Sequence, residues 1–448
     1  ITTSTTWSAD TIKITGDVHL RQGGPTSNCL TINPGVVVEF QGHYELRIED
    51  QLLAVGTETD SIIFTINDTT GFSNFSVSNG GWKGIYFSNY AYLTTVDTSK
   101  MSYCRVEYAK TLSGGHGGAL NVASSGIHLL LTHSAITHNY ADGDGGGIYM
   151  HQFGGYVNIS DNEILNNQVG TNESGGGLYI SYTTAIVNDN LIENNISNSD
   201  AGGVLFNNSD NCEFSGNIVK NNSALYEGGG LCIESCNPEM FNNHIEGNTA
   251  DNGAGIYFYN YTDTIVNHVI INNSANSQGG GIDASGSDFV ILNSTLCDNT
   301  VESEGFDGGG AIYLNSSSPV MKNCILHGNT APNANQVSLG DDVSDPDFYY
   351  CDVEGGTAGF FMMFGSYTGD YQNNIDSDPL FTGTGDHPYY LTDVSPCVNA
   401  GKPDFTTDSL GILLDIADST RISGDTIDIG AYEYQYRFPE LQLSTDSL

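Results

Sequence analysis

A glycine cluster followed by an aliphatic or aromatic triplet returns eight times along this chain, and its spacing constrains the fold more than any other feature. The runs GGAL, GGGIYM, GGGLYI, AGGVLF, GGGLCI, GAGIYF, GGGIDA and GGGAIYL end their glycines at Gly118, Gly147, Gly177, Gly203, Gly230, Gly255, Gly281 and Gly310. A second landmark keeps the same beat, an Asn three residues after an aliphatic, from Ile136/Asn139 to Leu326/Asn329. A period of roughly 27 residues suits several repeat folds, so residue type has to choose among them. Helical repeats need long stretches of 3.6-residue periodicity. Here the apolar runs are four or five residues long, rich in β-branched and aromatic side chains, and broken by Gly, Asn, Ser and Asp. The in–out–in pattern of GGGIYM and GGGLYI is the period of two that a strand requires. Three short strands and three turns per repeat describe one coil of an all-β, single-stranded, right-handed parallel β-helix, each coil stacked at about 4.8 Å on the one before.

Stacking accounts for the polar ladders. Two residues before each landmark aliphatic stands a second inward column: Cys104, Ser134, Asn162, Asn190, Asn217, Asn243, His268, Ser294 and Cys324. Asn amides in register can hydrogen-bond along the axis, so the Asn signal is structural first. The many Asn-x-Ser/Thr triplets follow from the same ladder and carry no information about glycosylation.

Charge excludes some partners. Of 448 residues, 12 are Lys or Arg and 53 are Asp or Glu, a net −41. Nucleic acid binding needs clustered cations that this chain can hardly supply. Uronate-rich or sulfated polymers would be repelled unless a metal ion intervened. No apolar run approaches the ~18 residues of a membrane-spanning helix. Nine cysteines are too few for a disulfide scaffold, although the 24-residue offset of Cys212 and Cys236 would allow a bridge between neighbouring coils.

Four regions follow. Residues 1–115 read as an N-terminal cap with irregular first coils, residues 66–80 bulging out as a loop. Residues 116–336 are the regular coils. Residues 337–436 hold a last coil or two and a cap, because an open solenoid end is a hazardous edge. Residues 437–448 are expected to lead into a following module that the sequence does not include.

The passages WSAD, ITGDVHL and LTINPGVVVEF near the start, GTETDSIIFT and WKGIYF after them, and the Gly/Asn coils resemble secreted right-handed β-helix repeat proteins. The tail, with DPLF, YYLTDVSPCVNAG and DIGAYEY, is similar to the end of choice-of-anchor Q proteins, common in Bacteroidota. That resemblance implies export, often by type IX secretion, and attachment to the outer surface of a Gram-negative cell through a C-terminal module. The family has no single activity, so the resemblance implies a location rather than a chemistry.

Candidate sites lie on the coil exterior. The outward residue of the strand after each glycine cluster forms a column with Tyr149, Tyr179, Tyr257 and Tyr313, whose flat faces and hydroxyl tips suit sugar rings. The turn before the glycines carries acids, among them Asp144, Asp200, Glu227, Asp251 and Asp307, with Glu173 one position further out. On adjacent coils Asp200 and Glu227 would stand about 5 Å apart, the separation of a retaining glycosidase. Capping of local N–H groups is the plainer role for such turn acids. Asp341, Asp342, Asp345 and Asp347 make a dense acidic loop that could take Ca²⁺, without the spacing of an EF-hand; no cofactor is required by any other feature. The GHG at Gly115–Gly117 and the Asp341–Asp342 pair resemble short polygalacturonase motifs, but in reversed chain order and without their NTD and RIK companions. Between Gly118 and Pro319 the only Lys or Arg is Lys220, which argues against lyase chemistry on the regular coils. Lys83, Lys100, Arg105 and Lys110 are the one fallback cluster of cations. The expectation is therefore a non-catalytic, secreted or surface-anchored β-helix acting in adhesion or polysaccharide binding. The alternatives are a carbohydrate-active enzyme, a hydrolase on a neutral glycan before a lyase, and a structural spacer.

Overall fold

Each coil bends three times, and the sequence marks each bend in the same way: a residue in the left-handed region followed by an inward polar one. In one coil these are Asp161 (φ 57°) before Asn162, Asn166 (φ 55°) before Asn167, and Tyr182 (φ 50°) before Thr183. Asn and Asp tolerate this backbone better than other L-residues, which explains the recurring Asn-Asn pairs. In the computed structural model, which describes residues 1–21, 27–88, 97–303, 308–385, 387–403 and 414–435, the chain forms an all-β parallel β-helix. Among those residues three parallel sheets of 14, 13 and 13 strands run its length, the first from Thr5–Trp7 to Tyr371–Gln372. Like residues stack in register: Ile148 pairs with Leu178, Tyr149 with Tyr179, and Met150 with Ile180.

Between the coils the side-chain amides form a closed hydrogen-bond account. Asn167 Nδ2 donates to Ile136 O (2.9 Å) and Asn195 Oδ1 (3.0 Å), while its own Oδ1 accepts from Asn139 N (3.1 Å) and Asn139 Nδ2 (2.9 Å). Both donors and both lone pairs are used, so a buried amide that would otherwise carry a desolvation cost of about 1–3 kcal/mol is fully satisfied. The column from Ser134 to Asn243 repeats the pattern. A third ladder, which the repeat pattern does not reveal, runs through the hydroxyls of Thr183 and Ser209 and resumes at Ser287, Ser317 and Ser344. Beneath the ladders lies an apolar core of aliphatic and aromatic side chains, including the landmark residues Ile136 to Leu326, all with no exposed surface.

The outer surfaces depart from the sequence expectation in two places. The 66–80 loop is organised by Lys110, which is fully buried and whose Nζ donates to the carbonyls of Gly71, Asn74, Val77 and Asn79 at 2.7–3.2 Å. Lys110 is therefore a clamp for that loop rather than part of a cationic cluster. The region 337–436 supplies the last coils, but its described residues beyond Asp378 then run back along the outside of the second sheet instead of closing the end. There Leu391, Cys397, Ile429 and Tyr432 cover the outward side chains of Val269, Ile271, Cys297 and Ile325. The reason is physical: four outward aliphatic or thiol side chains on one sheet need a cover, and the chain itself provides it. Arg421, 2% exposed, fastens this cover through Nη2 to Asn267 Oδ1 (3.0 Å), Asn293 O (3.1 Å) and Gly430 O (2.7 Å). Residues 437–448 lie outside the described residues.

Candidate glycan-binding flank

The outward column of the third sheet places Arg47, Tyr86, Asn121, Tyr149 and Tyr179 on five successive coils. Tyr149 and Tyr179 stack at 5.2 Å and 26°, and the His116 ring stacks on Tyr149 at 4.5 Å and 19°. His151, two residues further along the strand Ile148–His151, continues the surface towards the corner, where it meets Phe153 and Tyr182 edge-on. Phe153 is 60% exposed and Tyr182 43% exposed. Six aromatic rings thus make one uninterrupted surface that wraps from the third sheet onto the turn after it.

Further along, the column changes character. Leu205 and Cys232 are buried, with Tyr179 and Tyr257 packed against them. Tyr257 also shares a hydrogen bond with Glu227. Tyr313 is buried and closes over Gly340, so of the four tyrosines expected to meet a ligand it offers no face to one. Tyr149 and Tyr179 are brought together; Tyr257 stands apart from them.

The turn acids divide in the same way. Asp200 and Glu227 do lie on adjacent coils, but Asp200 Oδ1 accepts from Glu227 N (3.2 Å) and Oδ2 from Ser199 Oγ (3.0 Å). Burial and the Asp200 charge push the Glu227 carboxyl up to about 7. Asp144 likewise accepts from Ser174 N (3.0 Å). Asp251 Oδ1 takes Asn276 Nδ2 and Ser277 Oγ, both at 2.8 Å. These carboxylates are rungs between coils. Asp307 lies outside the described residues. The acidic loop serves the same purpose: Asp341 caps Ser316 and Ser344, Asp345 accepts from Thr368 and Gly369, and Asp347 from Asp370. Asp342 is exposed beside them. Among the described residues no group of three or more His, Cys, Asp or Glu side chains is placed to hold a metal ion. Cys212 and Cys236 are buried free thiols.

Two clefts adjoin the aromatic surface, one on each side of the turn at Leu112–Ser113. The first, about 450 Å³, is lined by His43, Glu45, Arg47, Lys83, Tyr86 and Asn121 among others. Its cations are already engaged: Arg47 grips Glu45 with Nε (3.0 Å) and Nη2 (3.3 Å), and Lys83 pairs with Asp17 (3.2 Å). Of the fallback cations, only Lys83 reaches this cleft; Arg105 pairs with Glu107 elsewhere (2.6 Å) and Lys100 points to solvent. Burial holds His43 below the usual imidazole range. The second cleft, about 740 Å³, is lined by Phe75, Tyr140, Asp142, Gln168, Glu173 and Asn198 among others. Phe75 stacks on Tyr140 at 3.9 Å, so the loop clamped by Lys110 supplies its wall. Burial and hydrogen-bonded Asp144 push Glu173 up to about 7. Both oxygens of Asp142 are acceptors, from Gly114 N (2.7 Å) and Tyr140 Oη (3.2 Å). Neither cleft is visible in the repeat pattern, since the first depends on the irregular 111–117 turn and the second on that turn together with the 66–80 loop.

The chain matches the family model of the right-handed β-helix region over residues 60–250 and 229–391, and it belongs to that family. Among solved structures it is similar to pectate lyase Pel9A, at 12% identity with a TM-score of 0.47, over 94% of this chain and 96% of that one. The A-modules of the Azotobacter vinelandii mannuronan C-5 epimerases AlgE6 (14% identity, TM-score 0.32, 79% and 91% covered) and AlgE4 (13%, 0.33, 77% and 91%) are also similar. No curated protein matches the sequence. Among the described residues no helix is long and apolar enough to cross a membrane.

Proposed function

We propose that the protein is a polysaccharide-binding β-helix of the cell exterior, held at the outer surface of a Gram-negative cell, with the glycan lying along the flank from His116 to Tyr182. The observation that carries this reading is the aromatic surface itself. Tyr149 and Tyr179 on adjacent coils, with His116, His151, Phe153 and Tyr182 around them, offer apolar ring surface with polar edges, which suits the alternating CH faces and hydroxyls of sugar rings. The tail's resemblance to choice-of-anchor Q proteins supports the location. Retention on insoluble polysaccharides and a glycan array, run beside an assay for new reducing ends and unsaturated products, tests it. Binding without turnover is the expected result, and turnover by the wild-type protein overturns the non-catalytic part.

A second reading, hydrolysis of a glycosidic bond, draws on the second cleft. Glu173, protonated to near-neutral pH, would serve as general acid opposite the acceptor carboxyl of Asp142. Reducing ends released by the wild type and abolished by Glu173→Gln would move the assignment to this reading.

A further inference from the structure

The second cleft, at about 740 Å³, falls within the ~300–1,000 Å³ range of small-molecule sites. Its apolar wall is the Phe75 ring lying on Tyr140. The column of Tyr140 continues in register with Gln168, a half-buried lining residue whose side chain makes no hydrogen bond among the described residues. Asn198, on the next coil, uses Nδ2 on Val169 O (2.9 Å) and leaves Oδ1 open. Glu173 is hydrogen-bonded to the Asp144 carboxyl, which requires a proton held between two acids, and Asp142 adds a third charge nearby. No Lys, Arg or His among the described residues lines this cleft. His116 Nδ1 stands 3.5 Å from the Asp144 carboxylate but accepts from Asp144 N (2.9 Å), so it brings no proton to that carboxylate.

We propose that this cleft is a subsite for an amino-sugar residue, whose ammonium donates to Glu173 while its hydroxyls meet the open amides of Gln168 and Asn198. The class of sugar follows from the lining. Carboxyl and amide oxygens without a cation select a ligand that brings both hydrogens and positive charge. A primary ammonium offers three donors and no acceptor. It can take the place of the proton shared by Glu173 and Asp144, and so turn crowding of like charges into charge-assisted hydrogen bonds. A uronate would add a further carboxylate to a chain of net charge −41, and an acetamido group would bring no charge. An ionised Glu173 that holds an ammonium is no general acid. The proposal therefore rests on the binding reading, not the hydrolytic one, and adds the kind of glycan: one with free amino groups.

Calorimetric titration of the full chain at mildly acidic pH and low salt tests this, with a glucosamine hexasaccharide, its N-acetylated counterpart and a lysine hexapeptide as probes. The free amino sugar is expected to bind about tenfold more tightly than the N-acetylated form. Glu173→Gln is expected to bring the two within about twofold of each other. Gln168→Leu is expected to weaken the amino-sugar probe about fivefold, with an unchanged melting temperature. Independently of any variant, the side-chain amide NMR signals of Gln168 and Asn198 in the wild type are expected to shift on saturation with the glucosamine hexasaccharide. Unmoved signals, a preference that survives in a folded Glu173→Gln protein, or a lysine hexapeptide that binds as tightly as the amino sugar would overturn the proposal. If both hexasaccharides bind equally and Tyr149→Ala weakens both, this proposal falls and the platform reading stands. If no oligosaccharide binds, both fall.

Discussion

Two flanks of this β-helix carry apolar residues on their outer faces, and they have opposite fates. On the second sheet the outward residues Val269, Ile271, Cys297 and Ile325 are sealed beneath the returning tail. On the third sheet the rings of Tyr149, His151, Phe153 and Tyr182 remain at least partly open. The side chains explain the contrast. Clustered aliphatic groups gain by leaving water, and the chain's own tail covers these four. Tyr149, Tyr182 and His151 keep a polar edge that tolerates water, and Phe153 stands exposed beside them. In this β-helix the four outward aliphatic and thiol groups form an intramolecular seam, while the rings from His116 to Tyr182 form the surface that we propose for glycan contact.

The sharpest way to break this comparison is to lift the cover. Arg421→Met leaves Asp415, Asp428 and Glu433 buried beside a lost cation, and removing one partner of a buried charge group costs roughly 3–5 kcal/mol. Limited proteolysis is expected to trim the tail of this variant while the coils persist; a tail that stays protected would mean that the apolar seam holds alone. Next in size is the interior common to both flanks. Asn195→Ala removes four ladder hydrogen bonds, to Ile164 O, Asn222 Oδ1, and Asn167 N and Nδ2. Leaving those groups unpaired should lower unfolding stability by about 3 kcal/mol in urea titrations.

Acidity separates the flanks more finely. The covered flank holds Glu433 at about 8, raised by burial and Asp428, and the open flank holds Glu173 at about 7. Both keep a proton in the folded state that the unfolded chain has released above about 4.3, so their contribution is lost as pH rises from there through 7 and 8. His268, lowered by burial to about 4, acts oppositely: the unfolded chain gains a proton below about 6.5, and stability falls as pH drops from there towards 4. Urea midpoints are expected to be highest in the mildly acidic range between these limits. Glu433→Gln should flatten the decline at higher pH, and His268→Asn the decline at lower pH. The smallest effect concerns the open flank alone. Tyr149→Ala should weaken glycan binding about tenfold, near 1.4 kcal/mol, with less change in melting temperature than the ladder variant.

Much of the architecture was legible because a stacked fold writes its contacts into the sequence at a fixed interval. The Gly clusters, the aliphatic rows and the two Asn columns all recur at that interval. The Ser/Thr ladder escaped notice because hydroxyls are common in turns everywhere. The site was only half legible. Tyr149 and Tyr179 could be placed on one face by periodicity, and Asp200 next to Glu227. Periodicity could not show that Tyr313 is buried, that Asp200 caps a backbone amide, or that His116 lies on Tyr149.

What the amino-acid order determined by itself was the coil, since each winding meets only its neighbours and a repeat of types is already a list of contacts. What the tertiary structure decided was everything that breaks the repeat: the Lys110-clamped loop, the tail seated by Arg421, and the clefts between irregular turns and regular coils. Those depend on residues far apart in sequence, such as Arg421 and Asn267, whose meeting no local pattern encodes.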